Sequence, residues 1–227
     1  MGTVILIRHA RSVANAENVL AGQLPGVKLD SEGMQQSKKL ASQLGEIPIA
    51  KVFVSPLERC LQTITPWLQA HGREVPVHSD PRIIEPDYGL WSGRKLEELA
   101  LEKLWEEVQN NPAQVHFPQG ERFVDVWDRV GSFYHSLSEI ASDDSNYLVI
   151  SHGDIIKFLV SRILNLEFSN FQKLMVEPGS ITVAKFHERN AKLVQFNRSD
   201  SALTSLLASG AKSTLGGEQQ STQNRKD

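Results

Sequence analysis

Two short apolar runs in this chain each end in a histidine. Val4-Ile5-Leu6-Ile7 delivers Arg8 and His9, and Tyr147-Leu148-Val149-Ile150-Ser151 delivers His152 and Gly153. A neutral imidazole beside a guanidinium can attack phosphorus, and the resulting phosphohistidine divides one difficult displacement into two easier ones. Arg59 follows the run Val52-Phe53-Val54 by a few residues, and Glu85 follows Ile83-Ile84. Phosphoryl transfer needs charge stabilisation on three equatorial oxygens and in-line alignment. Arg8 and Arg59 offer guanidinium forks for those oxygens, and Glu85 can supply or remove the proton. Gly153 can bring backbone N–H groups and a following helix N-terminus toward the anion.

Each of these residues has an ordinary alternative. His9 could be a satisfied buried histidine, Arg59 a surface helix residue and Glu85 a loop carboxylate. The signal is their convergence: all fall at or just beyond apolar runs that read as strands, and ligands of open α/β sheets sit beyond the carboxyl ends of the strands.

The elements that must position them alternate strand and helix. Asp30 or Ser31 caps a helix to about Leu44 with Met34, Leu40, Ala41 and Leu44 on its apolar face. Ser55-Pro56-Leu57-Glu58 reads as an N-cap, a first-turn proline and a capping-box glutamate, which puts Arg59 in a first helical turn. Val75-Pro76-Val77 reads as a short edge strand, and residues 86–93 as a loop. Leu96, Leu99, Ala100, Leu104 and Val108 mark one helix, and Phe123 to Leu137 another. A further helix begins near Ile155, and Ile181 to Phe186 and Leu193 to Phe196 form a hairpin through residues 188–190. The expected fold is a three-layer α/β/α domain over residues 1–198, with a mostly parallel sheet and an antiparallel element near its end. Residues 199–227, rich in Ser, Thr, Gly and Gln, read as a flexible tail.

Four spaced motifs carry a resemblance: Arg8-His9-x-x-Ser12-x-x-Asn15, Ser55-Pro56-Leu57-Glu58-Arg59-Cys60-Leu61-Gln62-Thr63, Glu85-x-x-Tyr88-Gly89-x-x-x-Gly93 and Ser151-His152-Gly153. Together they resemble the histidine phosphatase superfamily, in its phosphoglycerate mutase-like branch. The resemblance implies a phosphoglycerate mutase-like fold, with His9 as the phosphorylated nucleophile and Arg8, Arg59 and His152 in the phosphate pocket. It implies Glu85 as proton donor and acceptor, Asn15 in the phosphate pocket, and Gly22 where a first long loop approaches the substrate. Tyr88 of the third motif and Arg94 after it are expected on the substrate side.

Ala10 stands where the family usually has glycine, and a left-handed backbone there would cost alanine about 1 kcal/mol. Arg11 adds charge where the family often has Glu or Gln. Glu106-Glu107 follow Trp105 where true mutases carry an arginine pair that grips the anionic substrate. The expected activity is therefore that of a metal-independent phosphomonoesterase of histidine acid phosphatase type, acting on a small phosphorylated metabolite. The alternatives are a phosphomutase, a phosphohistidine protein phosphatase and a catalytically silent interaction module.

At 227 residues the chain suits one domain. A formal charge of −3 with 40% hydrophobic residues gives no reason to expect nucleic acid or membrane as partner. One cysteine, Cys60, excludes an internal disulfide framework and favours a reducing, cytoplasmic setting. His71, His78, His116, His135 and His187 show no metal-ligand spacing, and no metal or other cofactor is expected. The expected state is monomer or homodimer.

Overall fold

Successive strand residues point to opposite faces, so a strand buried on both sides reads as an unbroken apolar run. In the computed structural model, which describes residues 1–141, 144–187 and 190–199, the strand β1 (Gly2–Arg8) is such a run. Val4 and Leu6 join one core cluster and Ile5 and Ile7 the other. The elements that follow are α1 (Val13–Ala16), α2 (Ser31–Leu44), β2 (Lys51–Val54), α3 (Glu58–Ala70) and β3 (Val77–Ser79). Then come α4 (Leu96–Leu99), α5 (Lys103–Asn110), α6 (Phe123–Ile140), β4 (Asn146–Ser151), α7 (Gly153–Ile163), β5 (Ile181–His187) and β6 (Asn190–Arg198).

The six strands form one sheet in the order β3-β2-β4-β1-β5-β6. β1, β2, β3 and β4 run parallel, while β5 is antiparallel to both β1 and β6. Residues of α2 and α3 join Ile5, Ile7, Val52, Val54, Leu148 and Ile150 in one cluster, and residues of α6 and α7 join Val4, Leu6, Phe53 and Val149 in the other. This is the expected three-layer α/β/α arrangement. Its register fixes the site: Arg8 pairs with Ser151 and Val54 with Ile150, so three parallel strands end on one rim.

Several local readings change. Asp30 does cap α2, accepting from Gly33 N at 2.7 Å, but Met34 is 41% exposed and leaves the apolar face to Leu40, Ala41 and Leu44. The capping box at Ser55 does not form. Leu57 is the N-cap of α3, with no side-chain cap bond; Ser55 Oγ lies 2.7 Å from His152 Nε2 and accepts from Leu57 N at 3.5 Å. Pro66 sits inside α3 and cannot donate to Gln62 O, a loss of the kind that costs about 3 kcal/mol in a helix interior. Ser37 Oγ from α2 lies 3.0 Å from that carbonyl and 2.8 Å from Thr63 O.

The edge strand β3 begins two residues later than its apolar signal, and residues 89–91 of the expected loop form a 3-10 turn. The single helix expected from Leu96 to Val108 is broken. Glu102 is extended (φ −86°, ψ 145°) at the N-cap of α5, and its carboxylate accepts from Trp91 Nε1 and Arg94 Nη1, while Leu101 before it is 88% exposed. The expected C-terminal strands pair from His187 to Asn190 outward. The connecting residues 188 and 189, and the expected tail from residue 200 on, lie outside the described residues.

Candidate active site

His9 leaves the end of β1 with its backbone N–H donating to Ser151 O on the neighbouring strand at 2.8 Å. Its ring is buried. Nδ1 lies 2.8 Å from the carbonyl of Ala10, which can only accept, so Nδ1 carries the proton and Nε2 keeps its lone pair. Arg59 Nε donates to that Nε2 at 3.3 Å. Burial, followed by the neighbouring His152 ring and the charges of Arg59 and Arg8, holds the His9 pKa well below 6.5, so the ring is neutral at physiological pH.

Arg59 sits in the first turn of α3 and is 1% exposed. Its Nη2 donates to Gly22 O at 2.9 Å and lies 3.3 Å from His152 Nδ1 and 3.7 Å from Glu85 Oε2. Gly22 has φ +52°, and a Cβ there would meet Ser92 Oγ at 2.7 Å, so the conformation that presents its carbonyl to Arg59 calls for glycine.

His152 caps α7 by its backbone geometry. Its ring is held between Ser55 Oγ on Nε2 and Glu85 Oε2, 3.1 Å from Nδ1. Burial, then Arg59, Arg8 and Arg129, keeps it neutral as well. The His9 and His152 rings meet edge to face with centroids 5.2 Å apart.

Glu85 is not at a strand end. It comes six residues after β3, past a 3-10 turn over Pro81–Ile83, and reaches the rim because that segment is braced from several sides. Ser151 Oγ donates to Ile83 O at 2.8 Å, Gln23 Nε2 to Glu85 O at 2.8 Å, and Arg129 Nη1 to both Arg82 O and Ile84 O at 2.9 Å. Arg129 is itself paired with Glu121 at 3.0 Å. Tyr88 OH donates to Asp154 at 2.9 Å and lies 3.4 Å from Glu85 Oε1. Burial, then the Asp154 and Glu85 charges, raises its pKa well above 10, so it stays a phenol.

Arg8 donates from Nη1 to Val176 O at 2.5 Å, while its buried Nε has no partner among the described residues. Asn15 spends Oδ1 on the backbone and hydroxyl of Ser12, at 3.0 and 2.9 Å. Arg8, His9, Asn15, Gly22, Arg59, Glu85, Tyr88 and Gly153 all line one cavity, so the expected site residues converge with two exceptions. His152 lies directly behind that wall. Arg94 does not line the cavity: its Nη1 is 2.5 Å from Glu102 Oε1 and its Nε 3.9 Å from Glu98 Oε2, which hold it against α4 and α5.

Three other expectations change here. Ala10 is not among the left-handed residues and donates its N–H to Thr63 Oγ1 at 2.9 Å, so no strain arises there. Arg11 pairs with Asp30 and Glu32 rather than entering the cavity. Glu106 and Glu107 are exposed and off the cavity wall, although Trp105, Val108 and Gln109 beside them line it.

The cavity thus joins a neutral, lone-pair-bearing histidine, an unsatisfied guanidinium and a carboxylate, as phosphoryl transfer through histidine requires. Residues 4–199 match the model of the histidine phosphatase superfamily, branch 1. The chain belongs to that superfamily.

Its curated relatives include phosphoserine phosphatase 1 of Hydrogenobacter thermophilus, 31% identical over 202 residues, covering 87% of this chain and 92% of that one. The adenosylcobalamin/alpha-ribazole phosphatase of Salmonella typhimurium is 29% identical and covers 85% and 94%. Among solved structures, the alpha-ribazole phosphatase of Shigella flexneri superposes with a TM-score of 0.77 at 27% identity, over 88% of this chain and 98% of that one. The phosphoglycerate mutase-like fold is therefore shared along nearly the whole length of these proteins.

One nitrogen or oxygen from each of His9, Glu85 and His152 lies within 4.8 Å of the others, a spacing that could close on a metal ion. The surrounding charge opposes it. Two guanidiniums share the site, His9 Nε2 accepts from one of them, and both nitrogens of His152 face partners. This histidine phosphatase site is built for an anion.

In the sequence, Arg129, Ser55 and Asp154 carried no sign of their roles here. Arg129 is a mid-helix arginine like any other until the Glu85 segment is laid against α6.

Proposed function

We propose that this histidine phosphatase hydrolyses a small phosphorylated metabolite without a metal, by way of a phosphohistidine on His9. The observation that carries the reading is the fixed tautomer of His9: Nδ1–H on the Ala10 carbonyl and a bare Nε2 facing Arg59.

In the first step the Nε2 lone pair forms a bond to phosphorus while the ester P–O bond breaks. Arg8 Nε and the Arg59 guanidinium neutralise the equatorial oxygens, joined by Asn15 and the N–H groups that open α7 at Gly153. The Ala10 carbonyl takes the growing positive charge on the ring through Nδ1–H. Glu85, in its acid form, gives its proton to the departing alcohol. In the second step water gives a proton to Glu85 and attacks phosphorus, the N–P bond breaks, and inorganic phosphate leaves with His9 neutral again. His152 holds Glu85 and Arg59 in register through its Nδ1 edge, and Ser55 sets the ring. Tyr88 stays protonated beside Glu85.

Phosphatases at 31% and 29% identity support hydrolysis, and a probable phosphoglycerate mutase at 30% identity keeps mutase action as the second reading. The glutamate pair of α5 does not bear on that choice, since it faces away from the cavity. The finer assignments belong to the same proposal: histidine acid phosphatase type, a cytoplasmic setting, a monomeric or homodimeric state, and Gly22 and Tyr88 as substrate contacts. No described helix is long and apolar enough to cross a membrane.

The test is phosphate release from a panel of phosphorylated metabolites, run with and without EDTA. Release from some members at equal rates in both arms is expected. Turnover that EDTA abolishes and a divalent ion restores would overturn the mechanism. With 3-phosphoglycerate and a bisphosphate primer, phosphate is expected to appear faster than 2-phosphoglycerate, and the reverse order would install the mutase reading.

A further inference from the structure

The cavity extends well past the groups that would hold a phosphoryl group. Its volume is about 520 Å³, inside the range of roughly 300–1,000 Å³ found for sites that enclose a whole small molecule. Beyond the phosphate end Trp105, Leu96 and Leu174 line it beside the polar Gln109, Lys173 and Glu177, with Trp91 and Phe117 almost fully buried behind them. Trp91 and Trp105 stack with centroids 6.2 Å apart and planes 29° apart.

The polar tips of this wall are already used. Trp91 Nε1 donates to Glu102 at 2.9 Å, and Tyr88 OH to Asp154 at 2.9 Å. Lys157 on the wall and Arg94 outside it are paired as well. Lys157 Nζ lies 3.1 Å from Asp154 and 3.0 Å from Gln172, and Arg94 is held by Glu102 outside the cavity. Lys173 and Glu177 are both exposed on the cavity wall and bring opposite charges. A carboxylate on the substrate would lose its water here and meet one exposed cation, Lys173, with Glu177 on the same wall opposing it. An apolar group would lose nothing and would bury area against rings.

We propose that the preferred phosphomonoester carries its phosphate on an alcohol with an uncharged, apolar body, a ring or branched chain that packs on the Trp91–Trp105 wall, rather than on a compact acid. This rests on the phosphatase reading for the position of the phosphate.

Phosphonates test it without turnover, because their C–P bond is not cleaved. Calorimetry on the full chain compares 2-phenylethylphosphonate, ethylphosphonate and 3-phosphonopropionate. The phenyl compound is expected to bind at least about tenfold more tightly than the ethyl compound, with the carboxylate compound no tighter than ethyl. Trp105→Ala should remove most of the phenyl advantage and Trp105→Phe should keep it. Equal affinities for phenyl and ethyl, or tightest binding of the carboxylate, overturn the inference and leave the phosphatase reading standing. Should Trp105→Ala fail to fold, the wild-type ratio decides alone. If none of the three binds, the phosphate pocket is misplaced and both readings fall.

Discussion

Arg59 Nε stands 3.3 Å from His9 Nε2, across 50 residues of sequence. A guanidinium has no acceptor to offer, so the contact requires a lone pair on Nε2. One residue therefore fixes the protonation state of the other and is placed to neutralise the oxygens of a phosphoryl group that the other attacks.

Removing that guanidinium should cost transition-state stabilisation. Arg59→Ala is expected to lower kcat about a hundredfold to a thousandfold, the loss of about 3 to 4 kcal/mol seen when a preorganised donor is deleted. Arg94→Ala, which breaks contacts to Glu98 and Glu102 away from the cavity, should leave kcat within a few-fold. Steady-state kinetics on one substrate compares them, and equal small losses would contradict the assignment.

Two buried neutral histidines tie stability to pH. Unfolded, each takes up a proton near pH 6.5; folded, His9 and His152 both resist protonation until well below that. Their contribution is constant above the unfolded value and lost as pH falls beneath it, at about 1.4 kcal/mol per pH unit for each residue. Urea midpoints should fall between pH 7 and pH 5, before unfolded carboxylates titrate near about pH 4. His9→Gln should reduce the slope by roughly half. A flat profile would show that these rings are protonated in the folded protein.

Glu85→Gln should separate substrates by leaving group. An alkoxide needs the proton and p-nitrophenolate does not, so phosphoenzyme formation from an alkyl ester should slow about a hundredfold to ten-thousandfold more than from p-nitrophenyl phosphate. Single-turnover measurement isolates this step from the later attack of water. Equal slowing for both substrates would remove Glu85 as the acid.

Cys60 lies 3.5 Å from His152 Nε2, yet burial pushes its thiol up to about 12. It should be inert: iodoacetamide at pH 8 is expected to leave activity unchanged and the folded protein unlabelled. Rapid labelling with loss of activity would show that the α3 end of the site opens in solution.

The sheet and its rim were legible because the strands are apolar on both faces and each releases its polar residue at the same end. The runs ending at Arg8, Val54 and Ser151 already imply that His9, Arg59 and His152 share a rim. Glu85 was found for a weaker reason. No strand delivers it; its segment is held by Arg129, Gln23 and Ser151, three contacts that exist only after α6, β4 and the loop between α1 and α2 have packed. The errors have the same origin. Apolar spacing runs unbroken across Glu102, where Trp91 and Arg94 draw the carboxylate and the helix breaks. Ser55 has the form of an N-cap, but His152, distant in sequence, takes its hydroxyl. Arg94 and Glu106-Glu107 lie near the cavity in sequence and face away from it in space.

A covalent phosphate on His9 can be trapped by rapid acid-free quenching with labelled substrate, followed by peptide mapping. Acid-labile, base-stable phosphate is expected on the peptide that carries His9 in the wild type, and none in a folded His9→Ala protein that also fails to turn over. Undiminished turnover by His9→Ala, or phosphate trapped on another residue, would contradict it.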